Sequence, residues 1–136
     1  MAKQSGITYA VSIDDGAGSP QTISNDVTSV TVNTPRAVQD VTGLDKAAVE
    51  RLLLLADATV SITGVYNTQA TTGSHTVLKS IPSSAQVRTL VLTPLGGSAL
   101  TMEVVGTNYT VARSQSGELT FTAEFALQNG TAPAWS

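Results

Sequence analysis

The chain reads as a mainly β protein: an antiparallel β-sandwich or open barrel with a helix packed on one side. Three observations predict this class. Thr (20) and Val (15), both β-branched and suited to strands, together make up about a quarter of the 136 residues. Several segments alternate apolar and polar residues at period two, the mark of a strand with one buried face. Clusters of Gly, Pro, Asn, Asp and Ser separate those segments at short intervals.

Taken in order, Ile7, Tyr9, Val11 and Ile13 alternate with Thr8, Ala10 and Ser12 and form the first strand. Asp14-Asp15-Gly16-Ala17-Gly18-Ser19-Pro20 breaks it as a turn. A second extended stretch runs over Ile23–Val32 until Asn33-Thr34-Pro35 interrupts it, and Ala37–Val41 resumes as a short strand. The polar, weakly patterned run 24–43 suits a long hairpin or arm better than core. Asp45–Ala56 is predicted to be helical. Asp45 stands as N-cap, and Ala48, Val49, Leu52, Leu53 and Ala56 form an apolar stripe that Leu54 and Leu55 widen. Thr59–Val65 is a strand and Asn67–Ser74 a polar loop. A short helix over about 75–80 ends before Pro82. Four strands follow: Val87–Thr93, a segment through Leu100, Met102 and Val104, another through Tyr109 and Val111, and Leu119–Leu127. The Gly96-Gly97 and Ser116-Gly117 connections are short enough for hairpins.

The length fits one domain, 1–136, and suffices for a core without staples. With no cysteine, disulfides and thiolate metal sites are excluded. No apolar segment follows the N-terminal Met-Ala-Lys-Gln-Ser-Gly, and the longest apolar run, Leu52–Ala56, falls far short of the roughly 20 residues of a membrane span. A soluble protein made in the cytoplasm, with no membrane partner, is expected. The net charge of −3 and seven scattered Lys and Arg residues argue against a nucleic-acid grip, which needs a basic patch. Charged residues are only 12% of the chain, about half the usual share. Much of the surface is therefore expected to be covered, by copies of the chain itself.

No catalytic set assembles. His75 is the single histidine and no nucleophile elbow accompanies it, so it reads as a loop or short-helix surface residue. Asp14-Asp15-Gly16 lacks the rest of a calcium loop, and Gly16-Ala17-Gly18 lacks the third glycine and following helix of a dinucleotide site. No cofactor, no metal and no enzymatic activity are expected.

Order and spacing then suggest a family. Val41–Asp57, running into Thr59-Val60-Ser61-Ile62-Thr63-Gly64-Val65-Tyr66-Asn67, resembles the major tail tube proteins of long-tailed, non-contractile bacteriophages. So do Ser74-His75-Thr76-Val77-Leu78-Lys79 before Arg88-Thr89-Leu90, and Ser116–Phe121 running to Gly130-Thr131-Ala132-Pro133-Ala134-Trp135. The match covers most of 41–136 and contains no catalytic motif. The resemblance implies a β-sandwich or open barrel of the phage tail tube type with one flanking α-helix. It also implies hexameric rings, in which strands of each subunit join into a barrel around a lumen, stacked into a tube that conducts DNA into the host. The partners would be the chain itself, a tape measure protein and other tail proteins, and the location the virion tail. DNA would pass without specific binding. Inter-subunit arms would lie at 1–6, 24–43 and 129–136, with Pro35, Arg36, Pro133 and Trp135 as contacts. Glu103, Glu118 and Glu124 would face the lumen. Competing readings are a tail terminator or head–tail connector ring, the inner tube of a contractile injection machine, and a tail-associated β-sandwich binding module.

Overall fold

The computed structural model describes residues 6–94 and 98–136. Along them run β1 (Ala10–Asp14), β2 (Pro20–Thr22), β3 (Val27–Asn33), β4 (Arg36–Asp40), β5 (Arg51–Ala56), β6 (Thr59–Val65), α1 (Ser74–Leu78), β7 (Val87–Thr93), β8 (Leu100–Arg113), β9 (Leu119–Leu127) and β10 (Ala134–Trp135). The main sheet has the order β2-β1-β7-β8-β9-β6-β3, with β10 also on β8, and its pairings are antiparallel. The mainly β, antiparallel class expected from the alternation is what the chain adopts.

The segments through Met102 and through Tyr109, expected as two strands, are one. β8 pairs with β7 from Leu100 to Val105 and with β9 from Val104 to Arg113. A bulge between Gly106 and Asn108 lies where it passes from one pairing to the other, and bulges bend the strand that carries them. Glycine is required there, because a Cβ at Gly106 would lie 2.8 Å from the Ile81 side chain. The half-sheets β2-β1-β7-β8 and β8-β9-β6-β3 share one core. Val11, Ile13, Leu90 and Leu92 from the first join Val60, Ile62, Phe121 and Phe125 from the second. Ile23, fully buried in the same core, extends the β1–β2 ladder by donating its amide to the Val11 carbonyl (3.0 Å).

The first strand begins later than its alternation suggests. Thr8 has φ +70°, a left-handed conformation a β-branched residue resists, so Ile7 turns outward and only Val11 and Ile13 are fully buried. The short helix follows its polar loop as expected. Val77 and Leu78 face the core, and the buried Asp26 carboxylate accepts the Ser74 amide (3.0 Å) and both reaches of the Asn67 amide (3.0 and 3.2 Å). At the other end Arg88, 1% exposed, donates to the Val77 carbonyl (2.9 Å), the Asp14 carbonyl and the Ser80 hydroxyl (both 2.6 Å). Burial pushes its guanidinium below the usual arginine range, the negative charges of Asp15 and then Asp14 oppose that shift, and the three acceptors take its hydrogen bonds.

The helix expected over 45–56 is not formed. Arg51–Ala56 is β5, paired antiparallel with β4 through Val38↔Leu53, Gln39↔Leu52 and Asp40↔Arg51, and Asp45 lies in the connecting turn rather than at a helix cap. The flanking helix of the fold is therefore α1 alone among the described residues. Leucine's helix propensity is a weak prior that a long-range partner overrides, and β4 is that partner. The Gly96-Gly97 turn and residues 1–5 of the expected N-terminal arm lie outside the described residues.

Candidate assembly surfaces

The β4–β5 hairpin is paired only with itself and forms a separate two-stranded ribbon. A ribbon of two strands is marginal in water and needs a surface to pack on. This one is apolar on both sides. Val38, Val41, Leu44, Val49 and all four of Leu52–Leu55 are exposed, Leu55 to 86%. Its neck is clasped by polar bonds. The Asp40 carboxylate accepts the Thr42 hydroxyl (2.6 Å) and amide (2.9 Å), and the Thr42 hydroxyl accepts the Glu50 amide (2.8 Å). The Thr42 hydroxyl, then its amide, holds the Asp40 carboxyl below the usual carboxylate range. At the root, Pro35 accepts the Asp57 amide (3.0 Å) and Arg36 donates to the Leu54 carbonyl (3.1 Å). Of the 24–43 stretch, Val27–Asn33 belongs to the main sheet, and the projecting part runs on to Ala56.

The second surface is the outer face of β8-β9-β6-β3. Pairing registers set its side chains in ranks across the strands. Ser29, Thr63, Thr122 and Thr110 form one rank, and Thr31, Ser61, Glu124 and Asn108 the next. Asn33, Thr59, Ala126 and Val105 lie beyond the second, and Val65, Thr120 and Ala112 beyond the first. Ten of these fifteen side chains are uncharged and polar, Glu124 is the sole charge, and no Lys or Arg is among them. The face arises from strict alternation: Phe121, Ala123 and Phe125 point into the core, so Thr120, Thr122 and Glu124 point out.

That four-stranded layer has two open edges. β3 ends the sheet, and β8 beyond Val105 has no strand opposite β9 among the described residues. Three antiparallel steps separate these edges, so β3 and β8 run in opposite directions.

The three acids singled out from the sequence do not converge. Glu124 stands on the polar face. Glu103 lies on the β7 side of the β8 bend, where its carboxylate accepts the Thr89 hydroxyl (2.7 Å), and Glu118 sits in the β8–β9 turn, bonded to Ser116 (3.1 Å). Pro133 and Trp135 lie with the tail on its own β8. Trp135 pairs with Leu100, and Ser136 exchanges bonds with Ala99 (2.9 and 3.0 Å). Sequence reasoning missed the leucine ribbon and the hydroxyl ranks. The signal for the first was present: four consecutive leucines have no period, so neither face is polar.

His75, expected on the surface, is half-buried instead. Its ring lies 4.5 Å from that of Tyr66, and its Nδ1 meets the Tyr109 hydroxyl at 2.9 Å. Burial, with a smaller contribution from Tyr66, pushes the Tyr109 hydroxyl up to about 12. Asp15 caps its turn by accepting the Ser19 (3.0 Å) and Ala17 (2.9 Å) amides, which hold its carboxyl below the usual range. Among the described residues no cluster of His, Asp or Glu has the grouping a metal ion requires.

No protein-family model and no curated protein matches the sequence. Solved structures do resemble it. A chain of the virion of a native gene transfer agent particle has a TM-score of 0.76 at 20% identity, covering 98% of this chain and 99% of its own. A chain of the tail of an empty gene transfer agent particle, solved with C6 symmetry, gives 0.71 at 22% identity, covering 98% of each. A chain of the anti-feeding prophage baseplate, 6-fold symmetrised, gives 0.71 at 10% identity over 100% of this chain and 97% of its own. From end to end, the chain has the fold found in these tail and baseplate assemblies.

Proposed function

We propose that the chain is a structural, non-catalytic subunit of a phage-type tail tube. Its copies form hexameric rings, the rings stack, and nucleic acid passes through the lumen. The observation that carries this reading is the projecting β4–β5 ribbon, whose exposed leucines have no partner surface among the described residues. Burial of a Leu side chain contributes about 1.5–3 kcal/mol, so a ribbon with four of them strongly favours a state in which another copy covers it. The open edges support the ring. Because β3 and β8 run oppositely, the β8 of one copy meets the β3 of the next in the antiparallel sense, and no edge is left to recruit stray strands. The six-fold number comes from the C6 tail that the fold resembles. In this arrangement the polar face of β8-β9-β6-β3 lines the lumen, Glu124 is the acid upon it, and the ribbon reaches the adjacent ring.

The second reading is a ring that does not extend: a terminator, a connector or a baseplate layer. The likeness to a baseplate chain at the same TM-score favours it. Negative-stain electron microscopy of the concentrated protein, with light scattering on the same sample, separates the two. Long tubes of uniform width with a stained channel are expected. Rings that never stack would establish the second reading. A monomer that also fails to extend a purified tail-tip complex would overturn both.

A further inference from the structure

We infer that the polar face of β8-β9-β6-β3 is a neutral, water-holding wall along which a nucleic-acid duplex slides, and that it releases the duplex because it lacks fixed positive charge rather than because Glu124 repels it. The inference rests on the tube reading and assigns the chemistry of its lumen. Apart from Glu124, the ranks through Thr122 and through Ser61 carry six hydroxyls and one amide at strand spacing, each able to donate to and accept from water. Such a face keeps an ordered water layer between protein and phosphates, and offers none of the charge-assisted bonds with which Arg and Lys hold a phosphate.

The spacing of charge decides between the two mechanisms. Glu124 occurs once per four-stranded layer. With neighbouring strands about 4.8 Å apart, consecutive copies around a closed barrel stand roughly 19 Å from one another. The screening length at physiological salt is about 8 Å. Fields from adjacent Glu124 carboxylates therefore do not merge into a continuous negative surface, and most of the wall seen by a passing phosphate is hydroxyl. Glu103 and Glu118 do not fill the gaps, since one lies beyond the β8 bend and the other in the β8–β9 turn.

The test compares tubes of the wild-type protein with Glu124→Gln and Thr122→Lys tubes. Thr110→Lys, in the same rank on the neighbouring strand, serves where Thr122→Lys does not assemble. Each is incubated with a fluorescently labelled 20-base-pair DNA duplex at 50 and 200 mM salt, then pelleted. Wild-type and Glu124→Gln tubes should retain equally little duplex. The lysine tubes should retain at least tenfold more at 50 mM and lose most of it at 200 mM, as counterion release with about two phosphate contacts requires. Glu124→Gln tubes that retain duplex as the lysine tubes do would overturn the inference in favour of carboxylate repulsion. Lysine tubes that retain no more than the wild type would overturn it by removing this face from the lumen. A wild-type protein that forms no tubes, either alone or on a purified tail-tip complex, would instead overturn the tube reading, and this inference with it.

Discussion

Leu55→Ala separates a residue that holds the subunit together from one that holds subunits to each other. Leu55 is 86% exposed in the single chain. Removing its three outer carbons deletes about 2.4 kcal/mol of transfer free energy when the site is fully buried. In the free subunit only the small covered fraction is lost, about 0.3 kcal/mol, a change in melting temperature of roughly 1 °C. If another copy covers the ribbon, the remaining 2 kcal/mol or so is lost from each contact, which raises the critical concentration for assembly about 30-fold. Leu54→Ala, 41% exposed, should act in the same direction with about 1 kcal/mol, near fivefold. The assay is sedimentation of assembled material over a concentration series, beside thermal unfolding of the unassembled protein. A threshold that moves less than threefold while the melting temperature falls by several degrees would refute the reasoning, because the leucine would then be packing within its own chain.

Two further outcomes are expected. Arg88→Met preserves volume but strips bonds from the Val77 and Asp14 carbonyls and the Ser80 hydroxyl, costing about 3 kcal/mol and near 10 °C in thermal unfolding; an unchanged melting temperature would mean that relief of the buried charge offsets the lost bonds. For Tyr109, the folded hydroxyl ionises near 12 against about 10 in the unfolded chain, so the stability it contributes is complete below pH 10 and lost as pH rises through 12. Urea unfolding at pH 9 and 11.5 should accordingly show a larger loss for the wild type than for Tyr109→Phe, and equal losses would contradict it.

The sheet was legible in the sequence wherever one side of a strand faces the core. Thr59–Val65 and Leu119–Leu127 alternate at a period of two, Val87–Thr93 is rich in β-branched residues and Leu before Pro94, and the structure bounds all three at those residues. Legibility failed where burial within the chain did not write the pattern. Leu52–Leu55 is apolar on both sides of a ribbon that touches no core, and an aperiodic apolar run satisfies a helical stripe as easily as a strand. The alternations through Met102 and through Tyr109 are expected as two strands, whereas the bulge between Gly106 and Asn108 absorbs the extra residue and the chain continues as one. The polar face was half visible. The alternation in Leu119–Leu127 set Thr120, Thr122 and Glu124 on one side, but their neighbours in rank come from strands distant in sequence, and register across strands is a tertiary fact.

The single bent strand β8 has a mechanical consequence. In a sandwich whose layers meet only through side chains, a load on one layer can shear it across the other. Here Leu100–Val105 is laddered into one layer and Val104–Arg113 into the other, so covalent backbone carries tension between them. A pull on the four-stranded layer must strip β8 from β7 or from β9 before the layers can part. The two ladders overlap at Val104 and Val105, and Val104 is buried, so the junction between them lies in the core.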